Sequence, residues 1–278
     1  MEYVNPPHRL PRRRAPPQRG DAHLPSSYRP TSHGSRVTQS HSVLLLDFAQ
    51  MWLLKGEVGV VERADGSALF EMGNTRVIAA VYGPREVQNK GQQVNSKEAL
   101  VHCEYRMAEF STGDWRRKPK GDRRSTEISL VIRQTMEGKH INTFNAMLTG
   151  QFYLIDISVQ VLQADGGTRS ACINAATLAL SDAGIPMRDI VTSCSDGYLC
   201  STPLLDLNYI EDSAGGPDVT VGILSKMDKV TLLQMDAKLP MDTFENVMGL
   251  ATEGCKAIAT YILEVLLENT KRVECQCG

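Results

Sequence analysis

The strongest chemical signal in the sequence is a short glycine-rich segment that ends in an arginine and a serine, Asp165-Gly166-Gly167-Thr168-Arg169-Ser170. The pattern predicts that a helix begins at Thr168. The first backbone N–H groups of a helix have no acceptor within it. Together with the guanidinium of Arg169 and the hydroxyls of Thr168 and Ser170, those N–H groups would suit a small oxyanion.

The arginine in this first turn argues for a bound anion. A cation there opposes the helix dipole by a few tenths of a kcal/mol to about 1 kcal/mol. A bound anion would remove that conflict, and each charge-assisted hydrogen bond contributes roughly 1.5–3 kcal/mol. Arg123 and Arg124 stand at the start of another predicted helix and raise the same possibility. A turn that only starts a helix, and a solvated arginine pair, remain the alternative interpretations.

A second signal is a group of carboxylates around a tight turn. Asp206, Asp212 and Asp218 fall within thirteen residues, and Gly215-Gly216-Pro217 is predicted to connect two strands of a hairpin. Such a turn would bring Asp212 close to Asp218. Two close carboxylates either share a divalent cation or separate their pKa values, so that one can serve as an acid. A polar hairpin rim is the alternative.

The sequence offers no obvious protein nucleophile. Cys103 follows His102, but neighbouring residues of a strand lie on opposite faces. No GxGxxG, Walker loop or HExxH motif is present. A bound phosphate could itself be the nucleophile, in which case the protein needs to supply only cationic clamps and an acid.

Periodicity predicts the elements that position these groups. The first half is predicted to contain a β-meander, two further strands and two helices, and the second half several strands and a long C-terminal helix that begins near Asp242. The class is α/β or α+β with two similar halves, and not a doubly wound Rossmann sheet. Predicted strands are 56–62, 67–71, 75–82, 99–110, 154–163, 189–195, 204–209, 219–225 and 230–235, and predicted helices are 124–137 and 168–183.

Composition sets wider bounds. The chain has 278 residues and a formal net charge of −2, but residues 1–42 are rich in proline and arginine and are predicted to be disordered. A solvated extension, a transit peptide and an RNA-contacting tail are its possible interpretations. The seven cysteines are odd in number and form no CxxC pair, which favours a reducing compartment. No apolar run is long enough for a membrane span, so no membrane association is expected.

The motifs together resemble the RNase PH family and, within it, a plant-like subunit of the exosome core. Gly-Asp-Arg-Arg at 121–124 and Asp-Ala-Gly-Ile-Pro-Met-Arg-Asp at 182–189 are two of the matching motifs. The resemblance extends from about residue 56 to residue 271. The other matches lie at residues 64–68, 73–75, 81–84, 110–113, 161–169 and 206–218.

The resemblance implies a phosphorolytic 3′→5′ exoribonuclease, in which inorganic phosphate attacks the last phosphodiester and releases a nucleoside diphosphate. The family's phosphate clamp would be Arg124 and Arg169. Asp212 would be the general acid, and Asp218 would bind Mg²⁺ or support that acid. Further phosphate donors would come from Gly167, Thr168 and Ser170, and RNA contacts from Arg85, Arg116, Arg117 and Arg123.

The resemblance also implies architecture and partners. The fold would be the ribosomal protein S5 domain 2-like βαβα unit over residues 56–186, followed by a C-terminal RNase PH domain over residues 187–272. Partners would be RNA, other RNase-PH-like chains in a six-membered exosome ring, and S1/KH cap subunits. The expected cofactors are Mg²⁺ and phosphate as co-substrate. The expected location is the nucleus, including the nucleolus, and the cytoplasm, with roles in ribosomal RNA processing and RNA decay.

Two alternatives stay open. Some animal counterparts lack the arginine after Gly-Gly-Thr and form structural rings, so a non-catalytic scaffold that helps to form the RNA channel is the main rival. A hydrolytic nuclease with a metal on Asp212 and Asp218 is the other. The chain also departs from the family over residues 7–54 and 138–153, and our hypothesis is that these segments arise from alternative splicing or an imperfect gene model.

Overall fold

The computed structural model describes most of the region that carries the motifs. The extension 1–42, Arg116, Arg117 and nearly all of the two departing segments lie outside the described residues, so the predictions made for them stay predictions. The described residues are 53–86, 100–112, 122–136, 153–199, 202–213 and 215–277.

A five-stranded sheet forms the first half, in the order β1-β2-β3-β5-β4. The three strands of the predicted β-meander pair in antiparallel register, and β4 pairs in parallel with β5. The predicted β-meander is therefore confirmed. The strands are β1 (Leu54–Val58), β2 (Gly66–Met72), β3 (Thr75–Glu86), β4 (Leu100–Met107) and β5 (Tyr153–Gln163).

A four-stranded antiparallel sheet forms the second half, in the order β7-β6-β8-β9. The strands are β6 (Val191–Leu199), β7 (Thr202–Leu205), β8 (Asp218–Leu224) and β9 (Lys229–Met235). The helices of the described residues are α1 (Arg123–Met136), α2 (Thr168–Asp182), α3 (Tyr209–Ser213) and α4 (Met241–Cys277).

Helix α2 lies between the two sheets and contacts strands of both. Eleven of its fifteen residues are buried, and most of them are small. Small side chains let the helix approach both sheets closely, which explains why the segment shows little amphipathic pattern. The helix therefore belongs to the core, and its N-terminus emerges where the two sheets meet.

A polar stripe on α2 completes one edge of strand β6. The side-chain amide of Asn174 donates to the carbonyl of Ser193 and its oxygen accepts the Ser193 N–H, both at 2.9 Å. Thr177 Oγ1 donates to the carbonyl of Val191 at 2.8 Å. Since β7 pairs only with the far end of β6, these side chains satisfy backbone groups that no strand reaches.

Two predictions about the acidic segment were wrong. The strand predicted at 204–209 ends at Leu205, because Asp206 adopts a left-handed conformation with φ of 56°. The five-residue helix α3 follows, and Asn208 and Glu211 exchange side-chain-to-backbone hydrogen bonds at its start. The predicted hairpin is also absent, since β7 and β8 lie on opposite sides of β6.

Within the described part of the chain, none of the helices combines the length and the apolar character needed to cross a membrane.

Candidate active site

The glycine-rich loop that leads into α2 is fixed by contacts on both sides. Asp165 accepts hydrogen bonds from the side-chain amide of Asn74 at 2.8 Å and from the backbone N–H of Tyr209 at 3.3 Å. Thr75 Oγ1 donates to the carbonyl of Gly166 at 2.8 Å. A Cβ on Gly166 would lie 2.2 Å from the carbonyl oxygen of Leu207, so only glycine fits at this position. The loop is a rigid support for the helix start.

The helix start leaves backbone donors free for a ligand. Gly167 is the N-cap residue, with φ of 50°, and it makes no side-chain cap hydrogen bond. The carbonyl of Gly167 accepts the N–H of Ala171, the first intrahelical bond. The N–H groups of Thr168, Arg169 and Ser170 therefore have no intrahelical acceptor. They remain candidate donors to phosphate, as predicted.

The hydroxyl of Ser170 does not serve the ligand, which corrects one part of the prediction. Ser170 is fully buried, and its Oγ lies 2.8 Å from Ser195 Oγ and 3.3 Å from Ser193 Oγ. The side chain belongs to the polar stripe that joins α2 to β6. The contribution of Ser170 to an anion site is therefore restricted to its backbone N–H.

Arg169 lies where α1, α2 and β9 meet. Its Nη2 is 3.6 Å from Glu127 Oε1, and its Nη1 is 3.9 Å from Asp236 Oδ1. Both distances exceed those of a charge-assisted hydrogen bond. Its Nε is buried and has no acceptor among the described residues. The guanidinium thus sits between two carboxylates and keeps unsatisfied donors, as an anion clamp requires.

Arg124 approaches Arg169 around the phenol of Tyr105. Burial raises the pKa of Tyr105, and the positive charges of Arg124 and Arg169 both act in the opposite direction. Tyr105 lies on β4, which packs against α1, and its backbone N–H donates to Ser129 Oγ at 3.0 Å. The two predicted clamp arginines, which are 45 positions apart in the sequence, therefore both act on the same phenol, Arg124 from an exposed position on α1.

Asp212 and Asp218 are also close together, although no hairpin joins their strands. The pKa of Asp218 is raised to about 6, chiefly because burial disfavours its charge and further because Asp212 and Asp236 are negative. Arg169 is near enough to lower that pKa in part. The raised pKa belongs to Asp218, whereas sequence reasoning assigned the acid to Asp212.

Sequence reasoning missed three polar residues of the site, Glu127, Gln234 and Asp236. Gln234 Nε2 donates to Glu127 Oε1 at 3.2 Å, and the backbone N–H of Asp236 donates to the carbonyl of Asp218 at 3.1 Å. Glu127 and Asp236 could have been found from the sequence. Glu127 stands one turn after Arg124 on α1, and the β8–β9 hairpin register places the residue after Met235 beside Asp218.

The RNA-contact residues fall in different places. Arg123 is exposed in the first turn of α1, beside the clamp. Arg85 lies over the ring of Tyr82, 5.6 Å from its centroid, and pairs with the first part of β5, whereas the glycine-rich loop follows the end of β5. Val77 on β3 pairs with Val161 near the end of β5, and Arg85 lies eight residues further along β3, or roughly 26 Å away. Arg85 is therefore not part of the phosphate site.

Asp212 and Asp218 are the carboxylates of the site that could hold a divalent cation. In the described ranges no group of three or more His, Cys, Asp or Glu side chains stands at metal-binding distance. Mg²⁺, however, is commonly held by one or two carboxylates with water and substrate phosphate. Oδ1 of Asp218 is buried without a hydrogen-bond partner among the described residues. Asp212 and Asp218 therefore fit a magnesium ion that also contacts a bound phosphate.

Comparison with protein families decides the family. The two models described as the 3′ exoribonuclease family, domain 1 and domain 2, match residues 53–186 and 189–254. The chain belongs to the RNase PH family of 3′ exoribonucleases. The resemblance drawn from the motifs is thus confirmed, and so is the predicted fold class. The domain limits 56–186 and 187–272 stay a prediction.

Individual relatives agree with this assignment. The chain is 71% identical over 227 residues to the "Exosome complex component RRP41 homolog" of Arabidopsis thaliana, covering 82% of this chain and 92% of that protein. It is 42% identical over 225 residues to the human "Exosome complex component RRP41", covering 81% and 90%. The RNase PH chain is therefore of the RRP41 type and plant-like.

A solved structure supports the fold. The crystal structure of rice (Oryza sativa) Rrp46 superposes with a TM-score of 0.66 at 22% identity, covering 78% of this chain and 96% of that chain. At this identity the match bears on the fold alone. It agrees with the two-sheet architecture described above for this RNase PH chain.

Proposed function

We propose that the protein is a core ring subunit of an exosome that degrades RNA from the 3′ end by phosphorolysis. Phosphate held by Arg124, Arg169 and the N–H groups of residues 167–170 attacks the phosphorus of the last phosphodiester. The bond from that phosphorus to the 3′ oxygen of the preceding nucleotide breaks. The 3′ oxygen takes a proton, and a nucleoside diphosphate leaves.

The observation that carries this proposal is the convergence of Arg169 with the aspartate pair. Arg169 acts on the pKa of Asp218, and Asp212 acts on it with opposite sign. A guanidinium with an unsatisfied donor thus lies near a buried carboxyl whose pKa is raised to about 6. An anionic nucleophile and a proton donor for the leaving group are the two things that phosphorolysis requires.

The two aspartates act as one pair in this proposal. Asp212 is exposed on α3, on the side open to a polynucleotide, and Asp218 is partly buried behind it. The raised pKa of Asp218 favours its protonated form, next to the side chain that is proposed to meet RNA. We assign the proton delivery to Asp212 with Asp218 as its support. Variants of each residue test this division.

Magnesium is the proposed cofactor, and Asp212 and Asp218 would hold it when both are deprotonated. When bound, it would neutralise charge on the phosphate groups. The clamp, the helix N-terminus and the proton transfer remain the work of the chain's own residues.

We further propose RNA, other RNase-PH-like chains and S1/KH cap subunits as partners. The names of the Arabidopsis and human relatives, both exosome complex components, support assembly into such a complex. Arg123 beside the clamp and Arg85 at the far end of β3 are proposed RNA contacts. The proposed locations are the nucleus, including the nucleolus, and the cytoplasm, where RNA processing and decay would take place.

The decisive experiment supplies a 3′-overhang RNA to the assembled complex with and without inorganic phosphate. We expect nucleoside diphosphates only with phosphate, and their loss in both Arg169→Ala and Asp212→Ala. Exposed Arg188, on the segment between α2 and β6, provides a matched control in Arg188→Ala.

Other products would favour the rival functions. Unchanged decay in both variants would indicate a scaffold whose partners do the chemistry. Nucleoside monophosphates that form without phosphate would indicate hydrolysis. An Asp212→Asn variant should lose turnover and retain RNA binding, and equal loss of both would contradict its role as an acid.

A further inference from the structure

We propose that Glu127 is a specificity-determining residue of the anion site. Its carboxylate accepts a hydrogen bond from the O–H of bound phosphate, and the site therefore favours phosphate over sulfate. Inorganic phosphate retains at least one proton at neutral pH, and sulfate retains none. This inference rests on the proposed function and deepens it, because it concerns which anion the clamp accepts.

The position of Glu127 places a negative charge beside the anion clamp. Its Oε1 lies 3.6 Å from Arg169 Nη2, beyond hydrogen-bond distance. An anion that binds Arg169 therefore enters a space already bordered by a carboxylate. Asp236, 3.9 Å from Nη1, borders the same guanidinium from β9. Arginine alone would not distinguish between two tetrahedral oxyanions of similar size.

The adjacent carboxylate makes that distinction. A fully deprotonated anion would meet the like charge of Glu127 at short range, which is unfavourable. A phosphate O–H that points at the carboxylate replaces this repulsion with a charge-assisted hydrogen bond. The same side chain therefore attracts a protonated oxyanion and repels one without a proton.

The orientation of Glu127 leaves an acceptor free for this bond. Gln234 Nε2 donates to Oε1 at 3.2 Å, so α1 is tied to β9 through that oxygen. The contacts of the side chain with Gln234 and with Arg169 are both made through Oε1. The side chain of Glu127 is 49% exposed, so a ligand from solvent can reach it. A carboxylate held through one oxygen can present the other to the ligand.

Glu127 fits this role better than the neighbouring carboxylates. Asp236 has a 60% exposed side chain, and its contact with Arg169 is longer. Asp218 faces Asp212, on the side proposed for proton delivery and magnesium. Glu127 is the carboxylate that combines contact with the clamp and a fixed orientation in the described part of the chain.

Isothermal titration of the full-length chain with sodium phosphate and with sodium sulfate, at neutral pH and matched ionic strength, tests the inference. We expect the wild-type protein to bind phosphate at least about tenfold more tightly than sulfate, the ratio that one charge-assisted hydrogen bond supports. In Glu127→Gln the amide can donate to sulfate, and we expect the two affinities to come within about threefold. Glu253→Gln, an exposed glutamate on α4, is the matched control and should retain the wild-type ratio.

Several results would overturn the inference. Equal affinity for the two anions in the wild type would do so, as would an unchanged preference in Glu127→Gln. A preference lost in Asp236→Asn but retained in Glu127→Gln would move the role to Asp236. If Glu127→Gln binds neither phosphate nor sulfate while its circular dichroism and melting temperature are unchanged, Glu127 only positions Arg169. A wild-type chain that binds neither anion would count against the proposed function itself.

Discussion

Asp218 begins strand β8 and Asp236 follows strand β9, and the backbone N–H of Asp236 donates to the carbonyl oxygen of Asp218 at 3.1 Å. The hairpin thereby holds two carboxylate-bearing residues side by side, and Asp212 adds a third charge. Burial and these two charges raise the pKa of Asp218 to about 6 from its ordinary value of 3.8. The site therefore contains a group whose ionisation opposes folding.

The first prediction is that Asp218→Asn stabilises the protein at pH 7.5. The folded state holds the Asp218 proton more tightly than the unfolded state, so stability falls as the pH rises from about 4 to 6. Above that window the ionised side chain lowers the free energy of unfolding by about 3 kcal/mol, and asparagine, which does not ionise, avoids this loss. Urea unfolding at pH 7.5 and pH 4 measures the difference, which should vanish at pH 4. Asp242→Asn, at an exposed position, is the control, and an Asp218→Asn variant no more stable than wild type at pH 7.5 would contradict the prediction.

The second prediction concerns the guanidinium geometry of Arg169. Arg169→Lys keeps the charge but loses the planar fork, and the unsatisfied Nε donor is lost with it. We expect phosphorolysis to fall at least about 100-fold, the effect of removing one preorganised donor to an oxyanion. The rate of nucleoside diphosphate release at saturating RNA measures this, with Arg188→Lys as the control. A lysine variant with near wild-type turnover would show that charge alone is sufficient.

The third prediction compares two glycines. Gly166 has φ of +95° and its Cβ would overlap the Leu207 carbonyl, so Gly166→Ala should destabilise the protein by more than about 2 kcal/mol. Gly249 lies inside α4 with open space at its Cβ position, so Gly249→Ala should stabilise it by about 0.5–1 kcal/mol. Chemical denaturation of both variants measures the effects. Equal effects would mean that the loop adapts to a side chain.

The fourth prediction tests the polar stripe on α2. Asn174→Ala removes both hydrogen bonds that this side chain makes with the Ser193 backbone, so the buried N–H and C=O of Ser193 are left unsatisfied. We expect a loss of about 2–3 kcal/mol in the free energy of unfolding, and weaker phosphate binding because the helix carries Arg169. Asn269→Ala, near the end of α4, should cost less than about 0.5 kcal/mol. A small effect of Asn174→Ala would mean that other contacts hold α2 against β6.

The sequence predicted the strands well, because alternation and turn residues are local signals. Strands β2 and β3 were found from their alternation and from the Gly73-Asn74 turn between them. Helix α2 is predicted from its start after Gly167 and its end at Gly184, although the segment shows no amphipathic alternation of apolar and polar faces. A helix packed on both sides by sheets loses the amphipathic period, so its ends were more informative than its interior.

The acidic segment was harder, because its conformation depends on partners that are distant in the sequence. Asp206 takes a left-handed conformation, and its N–H donates to the carbonyl of Ser195 at 2.6 Å. No local pattern predicts that contact. Yet Asn208 and Glu211 carry the spacing of a capping box, which would have indicated the short helix. The hairpin interpretation of Gly215-Gly216-Pro217 failed because β6 lies between the two strands that this segment connects.

The candidate site was predicted in its charged parts and missed in its supporting parts. Arg169 stands out because a cation at a helix start is unusual, and Asp218 because it belongs to a group of carboxylates around a tight turn. Glu127 and Gln234 do not stand out, because an exposed glutamate on a helix and a polar residue on an edge strand are ordinary. Only the hydrogen bond between them, which joins β9 to α1, gives them a role.

Helix α2 has a part-buried N-terminus and a middle that is enclosed by two sheets. An oxyanion bound at that end would stabilise the packing between the two halves of the molecule. Loosening the interior near Leu178 would in turn release the ligand without any change to the groups that touch it. Ligand affinity and thermal resistance should therefore rise and fall together in variants of this helix.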